Sequence, residues 1–271
     1  MNDALESVRR HYHATGLIER LKGALAVFPE GQRLSHRQLS ALDQFHTRGL
    51  DATADLARLV NLDASMAVLD LGAGVGGPAR FLNETYGCRV TGVDLSEAFV
   101  EAARYLTERT GQSGKVSFQA ANALDLPFDK GSFDAVFVQH VVMNIADRAR
   151  LYREIRRVLQ SHGRLATFDV VLTGGELEYP LPWARTPDAS FLLTADATRD
   201  AIEAAGFRAV TWQDDTLLAK DWFAKLRASG PPPAPNLGVL MGPDTPQLLT
   251  NFARNLAQGK LGILTAVFEV G

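Results

Sequence analysis

The segment VLDLGAGVGG sets Gly72, Gly74, Gly76 and Gly77 between a β-rich apolar run, AVLDL, and a stretch of helical character, GGPARFLNETY. A tight strand-to-helix turn favours glycine, and the missing side chains let the backbone come close to a bound ligand. The spacing satisfies both GxGxG and GxGxxG, so the glycines alone leave open a dinucleotide, a different nucleotide ligand or no ligand. Two carboxylates narrow that choice. Asp94 ends the run RVTGVD, where a carboxylate can accept both hydroxyls of a ribose. The competing role of helix N-cap falls more naturally to Ser96, which directly precedes EAFVEAARYL. Asp70 lies two residues before Gly72, where dinucleotide folds usually carry an apolar residue, and an acid there suits a ligand with a cationic amino group.

Gln139 and His140 end the run FDAVFVQH, at the strand edge where open α/β sheets collect ligands. His140 is the natural proton acceptor of the chain, with an ordinary pKa near neutrality; the alternative is that it positions a substrate or bonds a lid. Met143 and Asn144 follow closely enough to line the same pocket, and Met143 serves equally as core packing. Trp183, in YPLPWARTP, is either an aromatic wall for a cationic or planar ligand or an ordinary packing residue.

These residues need a sheet to position them. The runs AVLDL, RVTGVDL, VSFQAA, FDAVFVQH and GRLATFDVV alternate with helical stretches, which predicts a parallel sheet with crossover helices. The helices SEAFVEAARYLTERTG and RARLYREIRRVLQSHG are expected to end at their glycines. After an irregular stretch come the helix TADATRDAIEAAGF and the strands FRAVTWQDD and ILTAVFEV. Residues 1–62 read as an N-terminal helical lid: Leu17, Ile18, Leu21 and Leu25 recur at helical spacing, and Ser35 with Gln38 forms a capping box. Residues 63–271 read as the sheet domain, with a helix, a Pro-rich turn stiffened by GPPPAP and a second helix inserted as a cap at about 216–260.

Composition removes several classes of function. The 271 residues carry 28 basic and 31 acidic side chains, net charge −3, with no long run of either sign, so neither nucleic acid nor anionic lipid is an expected partner. No apolar stretch reaches membrane-spanning length, the first residues lack the apolar centre of a signal peptide, and a cytoplasmic protein is expected, with a homodimer allowed. The single cysteine, Cys88, excludes an internal disulfide and is expected to be inert packing. His11, His13, Asp63 and Glu84 are scattered, so no metal site is expected.

Taken in order, VLDLGAGVGG, VTGVDLS, NALDLPFDKGSFDAVFVQH and LYREIRRVLQSHGRL resemble the successive motifs of class I S-adenosylmethionine-dependent methyltransferases of the ubiquinone/menaquinone type. DQFHTRG, HVVMNI and PLPWA are similar to the small-molecule branch that contains the sarcosine and dimethylglycine N-methyltransferases. The resemblance spans about residues 40–215 and leaves the first 35 residues and the insertion after Thr216 unexplained. It implies a doubly wound, Rossmann-like α/β sheet of seven strands, the last antiparallel. It also implies S-adenosyl-L-methionine as cofactor, S-adenosyl-L-homocysteine as product, and a small-molecule acceptor methylated on an amine, hydroxyl, carboxyl or carbon. On this resemblance Gly72, Ala73 and Gly74 shape the loop under the methionine part of the cofactor, Asp94 binds its ribose and Leu95 packs on its adenine. The family often has an acid before the alanine that is Ala123 here; this chain has Asn122, whose oxygen is expected to accept from the adenine amine with its nitrogen turned away. Phe45 and His46, in DQFHTRG, look like lid residues brought over the cofactor, the alternative for His46 being a helix-terminal histidine. Methyl transfer is an in-line displacement that mainly requires donor and acceptor to be held in line, so a hydroxyl acceptor benefits from a base and a neutral amine does not. The rival readings are a nicotinamide-dependent dehydrogenase and a cofactor-binding sensor without catalysis.

Overall fold

The computed structural model describes residues 16–230 and 234–271; His11, His13 and the PPP run lie outside the described residues. Seven strands form one sheet: β1 (Ala67–Leu71), β2 (Arg89–Asp94), β3 (Val116–Ala120), β4 (Phe133–Gln139), β5 (Leu159–Leu172), β6 (Phe207–Asp214) and β7 (Leu261–Val270). Their spatial order is β3-β2-β1-β4-β5-β7-β6, and β7 alone runs antiparallel to its neighbours. This is the seven-strand α/β sheet that the alternating runs and the resemblance lead one to expect.

The central strands are apolar almost throughout because both of their faces are covered. Period-2 alternation sends Val68, Ala135, Phe137, Ala166 and Phe168 to one face and Leu69, Leu71, Val136, Val138 and Leu165 to the other. The first face packs on the helices α3 (Leu50–Val60) and α4 (Gly77–Tyr86) through Leu56, Ala57, Ala79 and Leu82. The second packs on α6 (Arg148–Val158) and α7 (Ala195–Ala204) through Leu151, Ile155, Val158 and Ile202. Cys88 is buried in the first core, and burial pushes its thiol up to about 11, so it is inert as expected.

Ahead of the sheet, α1 (Leu17–Leu25) and α2 (His36–Asp43) pack through Leu21, Leu25, Leu39 and Leu42 against α5 (Glu97–Arg109). The capping box at the start of α2 is formed: Gln38 N–H donates to Ser35 Oγ, and Ser35 N–H donates to Gln38 Oε1 at 3.0 Å. Between β6 and β7 lie α8 (Thr216–Ala228), the single turn α9 (Gly238–Met241) and α10 (Thr245–Ala257). One boundary differs from expectation. Helix α6 ends at Val158, five residues before Gly163, because Leu159 turns into extended backbone and pairs with Phe133 to begin β5. Gly163 is needed for close packing, since a β-carbon there would lie 2.9 Å from the Gln160 carbonyl oxygen.

The chain order β1-β2-β3 runs outward on one side and β4 restarts on the other, which places a topological switch point between β1 and β4. Ligands of open α/β sheets bind at such a point, outside the C-terminal ends of the strands.

Candidate active site

At that edge lies a cavity of about 300 Å³. Its walls are Asp70, Gly72, Ala73 and Gly74 from the end of β1, Asp94 and Leu95 from β2, Asn122 and Ala123 from beyond β3, and Gln139 and His140 from β4. Phe45 and His46, in the connection between α2 and α3, complete it, and Asn144 lines it beyond β4. The structure thus brings together at one site every residue that the sequence assigned to cofactor binding.

The four glycines divide into two roles. Gly72 and Gly74 border the cavity with φ of +74° and +53°, a conformation that side chains disfavour. Gly76 and Gly77 serve packing: a β-carbon would lie 2.4 Å from the Phe118 ring at the first and 2.2 Å from the Asp43 carbonyl oxygen at the second. Gly74 N–H donates to Asp94 Oδ2 at 2.9 Å and Ser96 N–H donates to Asp94 Oδ1 at 2.9 Å. Asp94 therefore ties the glycine loop to β2, and each of its oxygens retains a lone pair for a ligand hydroxyl. Ser96 caps α5 by accepting from Phe99 N–H.

Asp70 is only 2% exposed, and its Oδ2 has no hydrogen-bond partner. Burial, reinforced by the charge of Asp94, pushes its carboxyl up to about 7. An ammonium group in the cavity would supply both the missing donor and the missing countercharge. Gln139 offers a second unsatisfied group: Thr53 Oγ1 donates to its Oε1 at 2.9 Å, and its buried amide nitrogen has no partner. Asn122 has a structural bond as well. Its Oδ1 accepts Leu124 N–H at 3.0 Å, which folds the loop, and retains a second lone pair for a ligand donor.

His46 Nε2 lies 3.0 Å from the Gly49 carbonyl and 3.1 Å from Thr53 Oγ1. A carbonyl can only accept, so the proton sits on Nε2 and Nδ1 carries the lone pair. Burial lowers the pKa of His46 to about 4, and the ring is neutral. His140 has φ +54°, is anchored by its N–H to the Phe168 carbonyl at 2.8 Å, and stacks on the Phe168 ring at 5.2 Å. Thr47 Oγ1 approaches its Nε2 at 3.4 Å. Burial, with the neighbouring His46 adding to it, holds its pKa well below the ordinary 6.5, which corrects the near-neutral value expected from sequence. The ring stays neutral at physiological pH and is a weak base.

A second cavity, of about 750 Å³, meets the first at Phe45, His46 and His140. Met143, Trp183, Trp222, Phe223 and Phe252 line it, with residues 236–249 of the insertion. Met143 and Trp183 are also core residues, each 2% exposed, and Trp183 Nε1 donates to Ser190 Oγ at 2.9 Å. Arg48 stands at this cavity but is committed elsewhere, donating to Asp215 at 2.9 Å and pairing with Asp55. Thr47 and Arg48 lie inside DQFHTRG but carry no signal of their own there, and Thr53 and Phe252 lie in helices outside any motif. Nor did the sequence signal the fully buried pair of Arg80 and Asp43, whose 2.8 Å contact fastens α4 to the end of α2 beside the cavity.

Comparison with known proteins agrees with this architecture. Residues 69–167 match the family described as "Methyltransferase domain". The chain is 36% identical over 135 residues to "Methyltransferase GfsG" of Streptomyces halstedii, covering 50% of this chain and 49% of that protein. It is 32% identical over 181 residues to the sarcosine/dimethylglycine N-methyltransferase of Halorhodospira halochloris, covering 66% and 64%. These matches span about half to two thirds of the length of the relatives. Among solved structures, the [4+2]-cyclase SpnF superposes with a TM-score of 0.70 at 22% identity, covering 99% of this chain and 97% of that one. The geranyl diphosphate C-methyltransferase of Streptomyces coelicolor A3(2) superposes with a TM-score of 0.69 at 19% identity, covering 99% and 98%; these two likenesses concern the fold alone. The sheet order, with its switch point between β1 and β4, defines a Rossmann-like α/β fold. The match to the methyltransferase domain family lies over residues 69–167, the stretch that holds β1, β2, β3 and β4 and most of β5.

Proposed function

We propose that the chain transfers a methyl group from S-adenosyl-L-methionine to a small-molecule acceptor. The observation that carries this reading is the buried carboxyl of Asp70 with its unpartnered Oδ2, set beside the glycine loop and Asp94 in a cavity that opens onto a second one. Asp70 would hold the amino group of the cofactor, Asp94 its ribose hydroxyls, and Leu95 with the loop at Asn122 and Ala123 its adenine. When bound, the cofactor supplies an electrophilic methyl group on a sulfonium, which the acceptor takes up with loss of a proton. The protein holds the two reactants in line and excludes water. Phe45, His46 and His140, shared by both cavities, form the wall across which donor and acceptor meet. His140, neutral and fixed against Phe168, presents a hydrogen-bonding edge that orients the acceptor. The sequence relatives named above are methyltransferases, which supports methyl transfer; the fold alone does not, because one fold hosts several chemistries.

The test is a calorimetric titration with S-adenosyl-L-homocysteine and, separately, with reduced nicotinamide dinucleotide, followed by an acceptor panel with methyl-labelled S-adenosyl-L-methionine. Saturable heat with the first nucleotide alone, and label in an acceptor, are expected. Binding of the nicotinamide nucleotide without the adenosyl one would overturn the assignment, and binding without turnover on any acceptor would favour a sensor.

A further inference from the structure

The second cavity carries a statement about the acceptor that the cofactor site does not. Four rings, Trp183, Trp222, Phe223 and Phe252, line it together with Leu237 and Leu249. Such a surface grips flat or extended apolar skeletons by contact area. Two formally charged residues line it. Arg48 is ion-paired to both Asp55 and Asp215 and is about one-tenth exposed, so its charge is already compensated. Asp51 is an exposed residue in the first turn of α3. The two histidines at the neck are held neutral by burial. An anionic group taken into this cavity would therefore be desolvated without a free countercharge, which is costly, and the exposed Asp51 offers a cation only a solvent-screened charge. Among the described residues, no three His, Cys, Asp or Glu side chains gather to hold a metal that might offset a phosphate.

We infer that the cavity takes an uncharged, predominantly apolar acceptor of drug-like size and discriminates against small zwitterionic amines and phosphorylated chains. This rests on the methyl-transfer reading only for the word acceptor; the preference itself belongs to the cavity. Nearly half of this wall comes from the insertion after Thr216, which the motifs resembling the sarcosine/dimethylglycine branch do not reach.

The experiment follows quenching of tryptophan fluorescence in the full chain, since two of its three tryptophans line the cavity. Four probes are compared: geraniol, geranyl diphosphate with Mg²⁺, testosterone and sarcosine, each with and without S-adenosyl-L-homocysteine. Geraniol and geranyl diphosphate share one hydrocarbon chain, so their difference isolates the charge. Geraniol and testosterone should bind saturably, geranyl diphosphate at least about tenfold more weakly than geraniol, and sarcosine not at all, because the charged probes lose hydration without gaining a partner. A second arm adds the missing countercharge: Leu226→Lys, on the cavity wall, should weaken geraniol and strengthen geranyl diphosphate while leaving S-adenosyl-L-homocysteine affinity unchanged. Equal or tighter binding of geranyl diphosphate or sarcosine to the unaltered chain would overturn the inference, as would failure of both neutral probes to bind. Should the neutral probes bind while S-adenosyl-L-homocysteine does not, the methyl-transfer reading falls and the preference of the cavity stands.

Discussion

The two cavities meet at Phe45, His46 and His140 and are built in opposite ways. The smaller one takes most of its walls from the ends of four adjacent strands, whose positions are fixed by the register of the sheet. The larger one is assembled from the connection after α2, the loop after β5 and the helices between β6 and β7. Polar groups aimed at a ligand, Asp70 and Gln139 among them, belong to the first; bulky apolar side chains dominate the second. A site on strand ends can hold a fixed ligand in a fixed pose, whereas a site made of helices and loops can change its occupant without disturbing the sheet.

This contrast is most easily broken through Arg80. If the smaller cavity is the rigid partner, Arg80→Met should leave Asp43 as a buried unpaired charge and cost about 3–5 kcal/mol of stability in urea unfolding, with the double change Asp43→Leu/Arg80→Met recovering most of it. A loss below about 1 kcal/mol, the range of exposed ion pairs, would mean that the pair does not hold the cavity together. Next in size is Asp94→Ala, which removes charged acceptors for ribose and loosens the glycine loop. It should weaken S-adenosyl-L-homocysteine binding by about 1.5–3 kcal/mol or more in calorimetry and leave geraniol binding in the larger cavity unchanged.

His140 stands on the boundary and sharpens the comparison. As a neutral positioning group it should, on replacement by Gln, raise the acceptor KM up to about tenfold with cofactor affinity intact, the size of one neutral hydrogen bond. Its depressed pKa also means that the wild-type rate should show no acidic limb near 6.5. A fall of about 100-fold in turnover, with loss of an acidic limb, would instead make it a base.

The last effect is graded with pH and belongs to Asp70. Its carboxyl titrates near 7 in the folded chain, against 3.8 ordinarily, so the folded state binds more protons between those values. The stability it contributes is full below the lower value and is lost as pH rises through the upper one. An ammonium ligand favours the ionised form, so affinity for S-adenosyl-L-homocysteine should rise with pH between about 5 and 7, by at most about tenfold per unit. Proton release measured in buffers of different ionisation enthalpy checks this, and Asp70→Asn should abolish it; a pH-independent affinity in the wild type would remove Asp70 from the amino-group site.

The same contrast explains what could be read from sequence. Strand-end residues announce themselves because glycine spacing and an acid after an apolar run are local patterns with local causes, which is how Asp70, Gly72, Gly74, Asp94 and Gln139 were identified. The bond from Leu124 N–H to the Asn122 oxygen is not legible in the sequence, because it depends on how the loop folds. The pKa of His140 was misjudged for a related reason: burial against Phe168 and His46 comes from three separate segments. Phe223, Phe252 and Trp222 look like any amphipathic core residues, and only the packing of α8 and α10 over the sheet turns them into a cavity wall. The overlong expectation for α6 came from treating Gly163 as a helix stop when it is a close-packing position in β5.

The reversed direction of β7 has a consequence for how such a chain diversifies. Because β7 is antiparallel to β6, β6 ends and β7 begins at the same edge, with Asp214 opposite Leu264. The two ends of the intervening segment are pinned together where Asp215 N–H donates to the Ile263 carbonyl at 2.9 Å and Ile263 N–H donates to Thr216 Oγ1 at 3.0 Å. Helices α8 to α10 are therefore an exchangeable cassette grafted into a hairpin, and the hairpin closes whatever it contains. Doubling the length of such an insert adds only about 0.6 kcal/mol of closure entropy. Acceptor range can drift by replacing the cassette while the strand ends, and the ligand they hold, stay as they are.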